Sequence, residues 1–431
     1  MGLTLAYHLS QQGVQVELFE AAPQLGGLST WFDYGPFVWD KYYHVILRSD
    51  HDLIALIKDV GLEDKLVWKP TKTGFYWRGR FLSMSNHWEF ITFPVLNLFS
   101  KARLAFGILY SQTIKDVSVL EGISAPNWLK KVFGKNVYHS IWEPLLESKF
   151  GVLKEEVPAS VICSTLNRYY STRSKGDGQE WMGHLHGVGY KTLIETLQRK
   201  IMEKGGKLHS GSPILSLEQN ENKQCLLNHA QGQQAFDYVI NTMPSVNLKK
   251  IAPQLKGIYT SAAPPEFLGV IRHAIVLKKN MTPYYVTNLI DREFSFTGII
   301  SVSALTFPDE LKGNYLMMLP RYDVPSSPWF EKSDQEIESI FFNQLRSIWP
   351  DIDQQVIGSF VHREKVVQAL WIQAPPNTHR AARTDDERVW NINAELVGRD
   401  TLNNNAIVRA AKQYAGEFFE FIKDKERNRD V

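Results

Sequence analysis

Residues 17–30 read ELFEAAPQLGGLST, and this stretch decides the fold class of the 431-residue chain. Apolar residues dominate positions 14–19, which predicts a short strand that is covered on both faces, as in a parallel sheet. Glu20 ends that strand, and Gly26 and Gly27 follow after five intervening residues. An acidic strand end is typical of a nucleotide-binding βαβ unit, where it binds a ribose, and paired glycines allow the backbone to approach a pyrophosphate. The stretch therefore predicts a dinucleotide site.

The residues before this stretch extend the same unit. Positions 2–12 predict a helix, because leucines four residues apart share one of its sides. Glu20 lies eighteen residues after Gly2, a spacing that suits Gly2 as the last glycine of a G-x-G-x-x-G turn. The first strand of such a unit and the two earlier glycines would lie before Met1. We therefore expect a native start about 10 residues upstream.

Glu20 with the double glycine resembles the E-x(5)-G-G element of a superfamily of FAD-dependent enzymes. This superfamily contains amine oxidases, protoporphyrinogen oxidases and phytoene desaturases, and UDP-galactopyranose mutase is related to it. The alternative is an ordinary glycine turn. The resemblance implies that the cofactor is FAD and that five residues of this part of the chain bind it: Gly2, Glu20, Gly26, Gly27 and Leu28.

Two later blocks, residues 181–245 and 389–414, follow the order of the same superfamily. In the first block, the resemblance implies that backbone groups of Ile214 bind the adenine. In the second block, it implies a helix whose N-terminus points at the flavin. Reduced flavin carries negative charge, and a helix N-terminus offers unpaired N–H donors with a partial positive charge. Four residues lie at that junction: Leu402, Asn403, Asn404 and Asn405.

The segment after the double glycine contains the catalytic candidates. In the resembled flavoproteins it passes beside the isoalloxazine ring, which implies that His44 lies near the flavin edge with Tyr42 and Tyr43 in the pocket wall. His44 is the candidate general base, because the pKa of a histidine lies near neutrality, and Tyr43 is the second candidate. The alternative is that these aromatic residues pack under a sheet, with His44 hydrogen-bonded and inert.

The resemblance implies an α/β FAD-binding Rossmann-like domain with an interleaved α+β substrate domain. We assign residues 1–70, 181–250 and 386–431 to the FAD-binding domain, and residues 71–180 and 251–385 to the substrate domain. The chain would therefore pass three times through the first domain and twice through the second.

Residues 128–134 and 142–151 resemble helices that cover the flavin in the protoporphyrinogen oxidase-like group. We favour an FAD-dependent oxidoreductase in which a small organic substrate gives a hydride to flavin N5 and an unidentified electron acceptor reoxidises the cofactor. One alternative is a redox-neutral sugar mutase similar to UDP-galactopyranose mutase. The other is a non-catalytic protein that has lost flavin binding.

Composition restricts the classes of partner and cofactor that the chain is expected to bind. A formal net charge of +2 gives no broad basic field for nucleic acid, and the two cysteines form neither a disulfide framework nor a metal-ligand set. We expect no metal and a cytoplasmic protein. No stretch reaches about 18 uncharged apolar residues, so no transmembrane helix is predicted. Residues 90–110 are apolar around Lys101 and Arg103; a core helix is the favoured interpretation, and peripheral membrane contact is the alternative.

Overall fold

The computed structural model describes residues 1–173, 179–258, 264–372, 382–397 and 402–428. Its helices, in chain order, are α1 (Gly2–Gln11), α2 (His51–Asp59), α3 (His87–Thr92), α4 (Leu98–Thr113), α5 (Ala125–Phe133), α6 (Lys135–Val137), α7 (Glu143–Phe150), α8 (Ala159–Tyr170), α9 (Tyr190–Glu203), α10 (Ser245–Ile251), α11 (Asp334–Ile348), α12 (Ile352–Gln355) and α13 (Asn404–Arg427). Its strands are β1 (Glu17–Phe19), β2 (Trp31–Asp33), β3 (Val38–Asp40), β4 (Leu66–Thr71), β5 (Thr73–Trp77), β6 (Arg80–Ser83), β7 (Glu180–Leu185), β8 (Lys207–His209), β9 (Ile214–Gln219), β10 (Cys225–His229), β11 (Gly232–Phe236), β12 (Val239–Asn241), β13 (Glu266–Leu277), β14 (Val286–Leu289), β15 (Gly298–Ser301), β16 (Tyr315–Asp323), β17 (Val356–Leu370) and β18 (Val389–Asn391).

The largest sheet has seven strands in the order β17-β13-β16-β15-β14-β5-β6, with one parallel pair, β14–β5. Strand β13, which lies between β17 and β16, is buried almost throughout, as expected for a strand that is covered on both faces. Helix α11 packs on one face through Ile337, Phe341 and Leu345. The opposite face packs against Tyr34, Trp39 and neighbouring side chains of the segment after the glycine turn. That segment is therefore fixed beneath the sheet.

The nucleotide-binding part contains two separate pairs of parallel strands. Strand β1 pairs with β8, and β12 pairs with β18. Helix α1 packs against α9 through Leu3 and Ala6 and against α13 through Leu5 and Leu9. The helix predicted over residues 2–12 is confirmed, whereas the strand predicted over 14–19 forms only from Glu17 to Phe19.

A cleft of about 950 Å³ separates β1 from β12. Leu18 and Phe19 of β1, Val239 and Ile240 of β12, and side chains of α1 and α13 line it. Across the described residues, neither strand has a strand partner on the cleft side. The two halves of the parallel sheet are therefore joined by helices and not by a strand.

Helices α4, α5, α7 and α8 form a second core beside the large sheet. The prediction of a core helix in residues 90–110 is right for only one face of α4, where Leu104 and Gly107 are buried. A Cβ on Gly107 would lie 2.5 Å from the ring of Phe133, so α4 and α5 approach closely. The opposite face of α4 is exposed, and it is apolar as well. No helix in the described part of the chain is long and apolar enough to cross a bilayer.

Candidate active site

The glycine turn after β1 has one packed side and one open side. Gly26 has φ 125°, and a Cβ there would lie 2.6 Å from Cδ1 of Ile194 on α9. Gly27 has φ 59°, and a Cβ there would meet no atom within 4 Å. Gly26 therefore allows the turn to contact α9, whereas Gly27 presents bare backbone to open space, as a phosphate-binding turn requires.

Glu20 lies at the carboxyl end of β1. Its N–H donates to the His209 carbonyl of β8 at 2.8 Å, and its Oε1 accepts from the Ala22 N–H at 2.9 Å. Two other predicted residues, Gly2 and Ile214, line the cleft between β1 and β12. A Cβ on Gly2 would lie 3.1 Å from Oγ1 of Thr242, so a side chain at the start of α1 would be tightly constrained.

His44 contacts the glycine turn directly. Its Nε2 lies 2.9 Å from the Leu28 carbonyl, and because a carbonyl only accepts, Nε2 carries the proton. Burial lowers the pKa of His44, so the ring is neutral at pH 7 and Nδ1 is unprotonated. The ring also lies against Tyr190, with 5.1 Å between the ring centroids. His44 therefore fixes the position of the turn, and its catalytic role stays a prediction.

The start of α13 meets the same turn, although 375 residues of chain separate them. Asn403 caps the helix by accepting from the Ala406 N–H at 3.0 Å. Ser29 Oγ donates to Asn404 Oδ1 at 3.2 Å. Asn405 Oδ1 accepts from a backbone N–H of α2 at 3.0 Å. Asn404 and Asn405 thus tie the N-terminus of α13 to the turn and to α2, and Asn403 caps the helix.

Sequence reasoning missed Tyr190, which lies beside His44 and Asn404. Burial raises the pKa of Tyr190, and its buried phenol oxygen lies beside the Asn404 side chain, without a hydrogen bond of full geometry to any described residue. A buried polar group that is only weakly paired is unfavourable, so this phenol suits a site that is completed by a ligand. In the sequence, the residue that marks this position is Gly189, directly before Tyr190. The structure shows why glycine is needed there: its φ is 63°, and a Cβ would lie 2.5 Å from Oδ1 of Asp40.

Asp40 was also missed. Its Oδ1 accepts from the Tyr190 N–H at 2.8 Å, at the N-terminus of α9. Burial raises the pKa of Asp40 well above its usual range, and this hydrogen bond opposes the shift. Asp40 thereby joins the end of β3 to the helix that packs on Gly26.

Four tyrosines lie near one another next to His44: Tyr43, Tyr169, Tyr285 and Tyr322, here called the tyrosine chamber. The phenols of Tyr43 and Tyr322 hydrogen-bond each other, and the Tyr285 phenol donates to the His44 carbonyl at 3.4 Å. Tyr169 is 41% exposed, yet burial raises its pKa.

A buried polar cluster lies at the end of β7. Glu310 accepts from His184 Nε2 at 2.9 Å and from the N–H groups of Gly187 and Phe307 at 2.9 and 2.6 Å. Ligand atoms of Glu310, His184 and His186 lie within 4.8 Å of one another, a spacing that a metal ion could use. The hydrogen bonds already occupy the carboxylate, so the cluster is an internal connection between β7 and the loop after β15.

Parallel strands whose carboxyl ends meet a glycine turn and a helix N-terminus are the arrangement of a dinucleotide-binding oxidoreductase. A profile of the family described as flavin containing amine oxidoreductase matches residues 2–364, and the chain belongs to this family. The resemblance read from the sequence is thereby confirmed, and the protein is a flavin-dependent oxidoreductase with a Rossmann-like nucleotide-binding part.

Known relatives differ in what they act on. The chain is similar to 15-cis-phytoene desaturase of Glycine max, with 24% identity over 411 residues that cover 88% of this chain and 69% of the relative. It is also similar to coproporphyrinogen III oxidase of Bacillus subtilis, with 22% identity over 50% of this chain and 52% of the relative. Cyclohexylamine oxidase of Brevibacterium oxydans shares the fold, with a TM-score of 0.67, 15% identity and coverage of 98% and 97%.

Proposed function

We propose that the flavin is FAD, and that its dinucleotide lies along the carboxyl end of β1 between the starts of α1 and α13. The observation that carries this proposal is the open backbone of Gly27, which is followed directly by Leu28, bound to His44, and Ser29, bound to Asn404. In this arrangement Glu20 binds the ribose of the adenosine, and the N-terminal N–H groups of α13 face the flavin.

When bound, the flavin accepts a hydride from an organic substrate and passes electrons to a separate acceptor. The protein's own groups orient and shield it. The N-terminus of α13 favours negative charge beside it, and the tyrosine chamber excludes bulk water from the space next to His44. Because His44 Nε2 is bound to the Leu28 carbonyl, a proton taken by this ring goes to Nδ1.

The cleft between β1 and β12 bears on FAD affinity. A strand that entered it parallel to both would pair its N–H and C=O groups on two sides and join the strand pairs into one sheet. We infer that a strand filling this cleft, followed by a glycine turn into α1, would bring the helix N-terminus to the pyrophosphate and raise the affinity for FAD.

An absorption spectrum tests both parts of the proposal. The chain would be purified as it stands and with an added apolar strand and Gly-x-Gly turn before Met1, and each form would be incubated with FAD and desalted. The control carries the same addition with prolines in the strand, which cannot form the ladder. We expect a flavin spectrum that is strongest in the strand-bearing form and weak in the proline control.

The outcomes separate the alternatives. Equal flavin content in all three forms would refute the strand but keep the oxidoreductase. Absence of flavin from all three would refute FAD binding and favour a non-catalytic role. Turnover that needs prior reduction but no electron acceptor would favour a redox-neutral mutase. The domain boundaries given above stay a prediction.

A further inference from the structure

Lys149 is a partly buried cation that has no counter-charge among the described residues. It is the second-last residue of α7, and its Nζ lies 5.3 Å from the ring centroid of Tyr322 in the tyrosine chamber. Burial alone lowers its pKa to about 8, so no neighbouring acid offsets the loss of solvation. Among the described residues, no carboxylate forms an ion pair with it, whereas nearby Lys154 pairs with Glu147 at 3.6 Å.

A partly buried ammonium without a partner is unfavourable, and an anion that entered the same space would remove that penalty. The route from Lys149 to the candidate cofactor site is short. Tyr322 hydrogen-bonds Tyr43, which is adjacent to His44 in the chain. Lys149 therefore lies across the tyrosine chamber from the glycine turn.

We propose that Lys149 binds a carboxylate of the substrate, so that the substrate class is an organic acid whose unsaturated or aromatic body lies against the tyrosines. This inference rests on the proposed oxidoreductase function and names its substrate class. A hydrocarbon or an amine would leave the ammonium unpaired, and an amine would add a second positive charge.

The test compares two probes of one shape, 2-naphthoate and the uncharged 2-naphthamide, by calorimetry with the flavin-loaded protein. We expect wild type to bind the carboxylate at least about tenfold more tightly than the amide, as for a hydrogen bond to a charged group. Lys149→Met should lose this preference, and Lys154→Met should keep it. The preference should also decline above about pH 8, as Lys149 loses its proton.

Folding and flavin content are measured on the same samples. Lys149→Met should unfold at a temperature equal to or above that of wild type, because it removes an unpaired, partly buried charge. Failure of the carboxylate to bind, or an unchanged preference in Lys149→Met, overturns the proposal while the flavin spectrum leaves the oxidoreductase intact. Absence of a flavin spectrum from every form of the protein, the strand-bearing form included, refutes the proposed function instead.

An independent observation concerns the surface of α3 and α4. Leu98 and Phe99 in the first turn of α4 are 78% and 79% exposed, and Trp88 on α3 is 72% exposed. Further exposed apolar side chains belong to the same two helices: Ile91, Phe106, Leu109 and Tyr110. Helix α4 is apolar on two opposite faces, and protein covers only one of them.

Basic groups border this apolar surface, and α4 contains no acidic residue. Lys101 and Arg103 flank it, and Arg103 Nη2 donates to the Lys131 carbonyl at 2.7 Å, which brings the basic end of α5 alongside. The one acid of α3, Glu89, accepts from the Ser85 N–H and faces Lys72. The apolar centre and the positive border complement an anionic lipid bilayer.

We propose that α3 and α4 lie in the interface of an anionic phospholipid membrane. Sedimentation with vesicles of phosphatidylcholine, with and without phosphatidylglycerol, tests this. Wild type should bind the anionic vesicles more tightly, and Leu98→Ser with Phe99→Ser should bind at least about tenfold more weakly. Met202→Ser, which alters an exposed residue of α9, is the control and should bind like wild type. Wild-type-like binding by the double variant, or self-association of wild type without vesicle binding, overturns the proposal.

Discussion

Replacing Gly27 by alanine should remove flavin binding and leave the fold nearly as stable as before. At φ 59° an alanine costs about 1 kcal/mol, partly offset by the smaller freedom of the unfolded chain, and its Cβ meets no atom within 4 Å. The methyl group would instead occupy the space where the proposed phosphate approaches. Loss of one or two charge-assisted N–H bonds to phosphate should weaken binding by about 10- to 100-fold.

Gly26→Ala is the matched control, and it should show the opposite pattern. Its φ of 125° suits glycine, and its Cβ would lie 2.6 Å from Ile194, so we expect about 3 kcal/mol of destabilisation. Adding Ile194→Ala should recover only the steric part, because the backbone strain stays. Denaturant unfolding and flavin fluorescence titration measure the two effects separately. Wild-type flavin affinity in Gly27→Ala would refute the assignment of this turn to the cofactor.

His44→Phe removes the 2.9 Å bond to the Leu28 carbonyl and should weaken flavin binding about tenfold; unchanged affinity would contradict the positioning role. Because burial lowers the pKa of His44, wild-type stability should fall below about pH 6.5. In denaturant unfolding the variant should lose only the share due to His44, because burial also lowers the pKa of His273 and His362. Asn404→Ala breaks the 3.2 Å bond from Ser29 and should lower flavin affinity with about 1 kcal/mol of destabilisation; flavin titration and unfolding should show both. Glu310→Gln should destabilise by about 3 kcal/mol in the same unfolding assay. Burial raises the pKa of Glu310, but the hydrogen bonds that it accepts, from His184 first, together outweigh burial and lower the pKa overall. The stability that the Glu310 carboxylate contributes to wild type should therefore be lost below about pH 4.3. If Glu310→Gln loses stability at acid pH just as wild type does, Glu310 is not the cause of the loss.

Local chemistry was predictable from the sequence. The capping box at the start of α11 depends on two residues three positions apart: Ser333 accepts from the Glu336 N–H, and Glu336 accepts in return. The helix of α1 and the short strand ending at Glu20 were predictable for the same reason. Each feature depends on residues that are close in the chain, where backbone geometry fixes which groups can meet.

Contacts between distant residues were not predictable. Asp40 reaches the Tyr190 N–H across 150 residues, and nothing near Asp40 in the chain indicates a helix N-terminus. The exposed face of α4 was missed for a related reason. Apolar periodicity shows which residues can be buried, but the protein covers only one side, and Phe99 and Phe106 lie outside it.

The contacts around the glycine turn separate two properties of the cofactor site. The half of the cofactor site next to α13 has three supports from different parts of the chain. Gly26 packs against α9, His44 bonds the Leu28 carbonyl, and Ser29 bonds Asn404. The half next to Gly2 borders the cleft between β1 and β12, where the sheet is interrupted. The first half is therefore already in place to orient the flavin ring, whereas affinity for the dinucleotide depends on how the second half is closed. A strand in the cleft would act on binding of the adenine end and leave the groups around His44 unchanged.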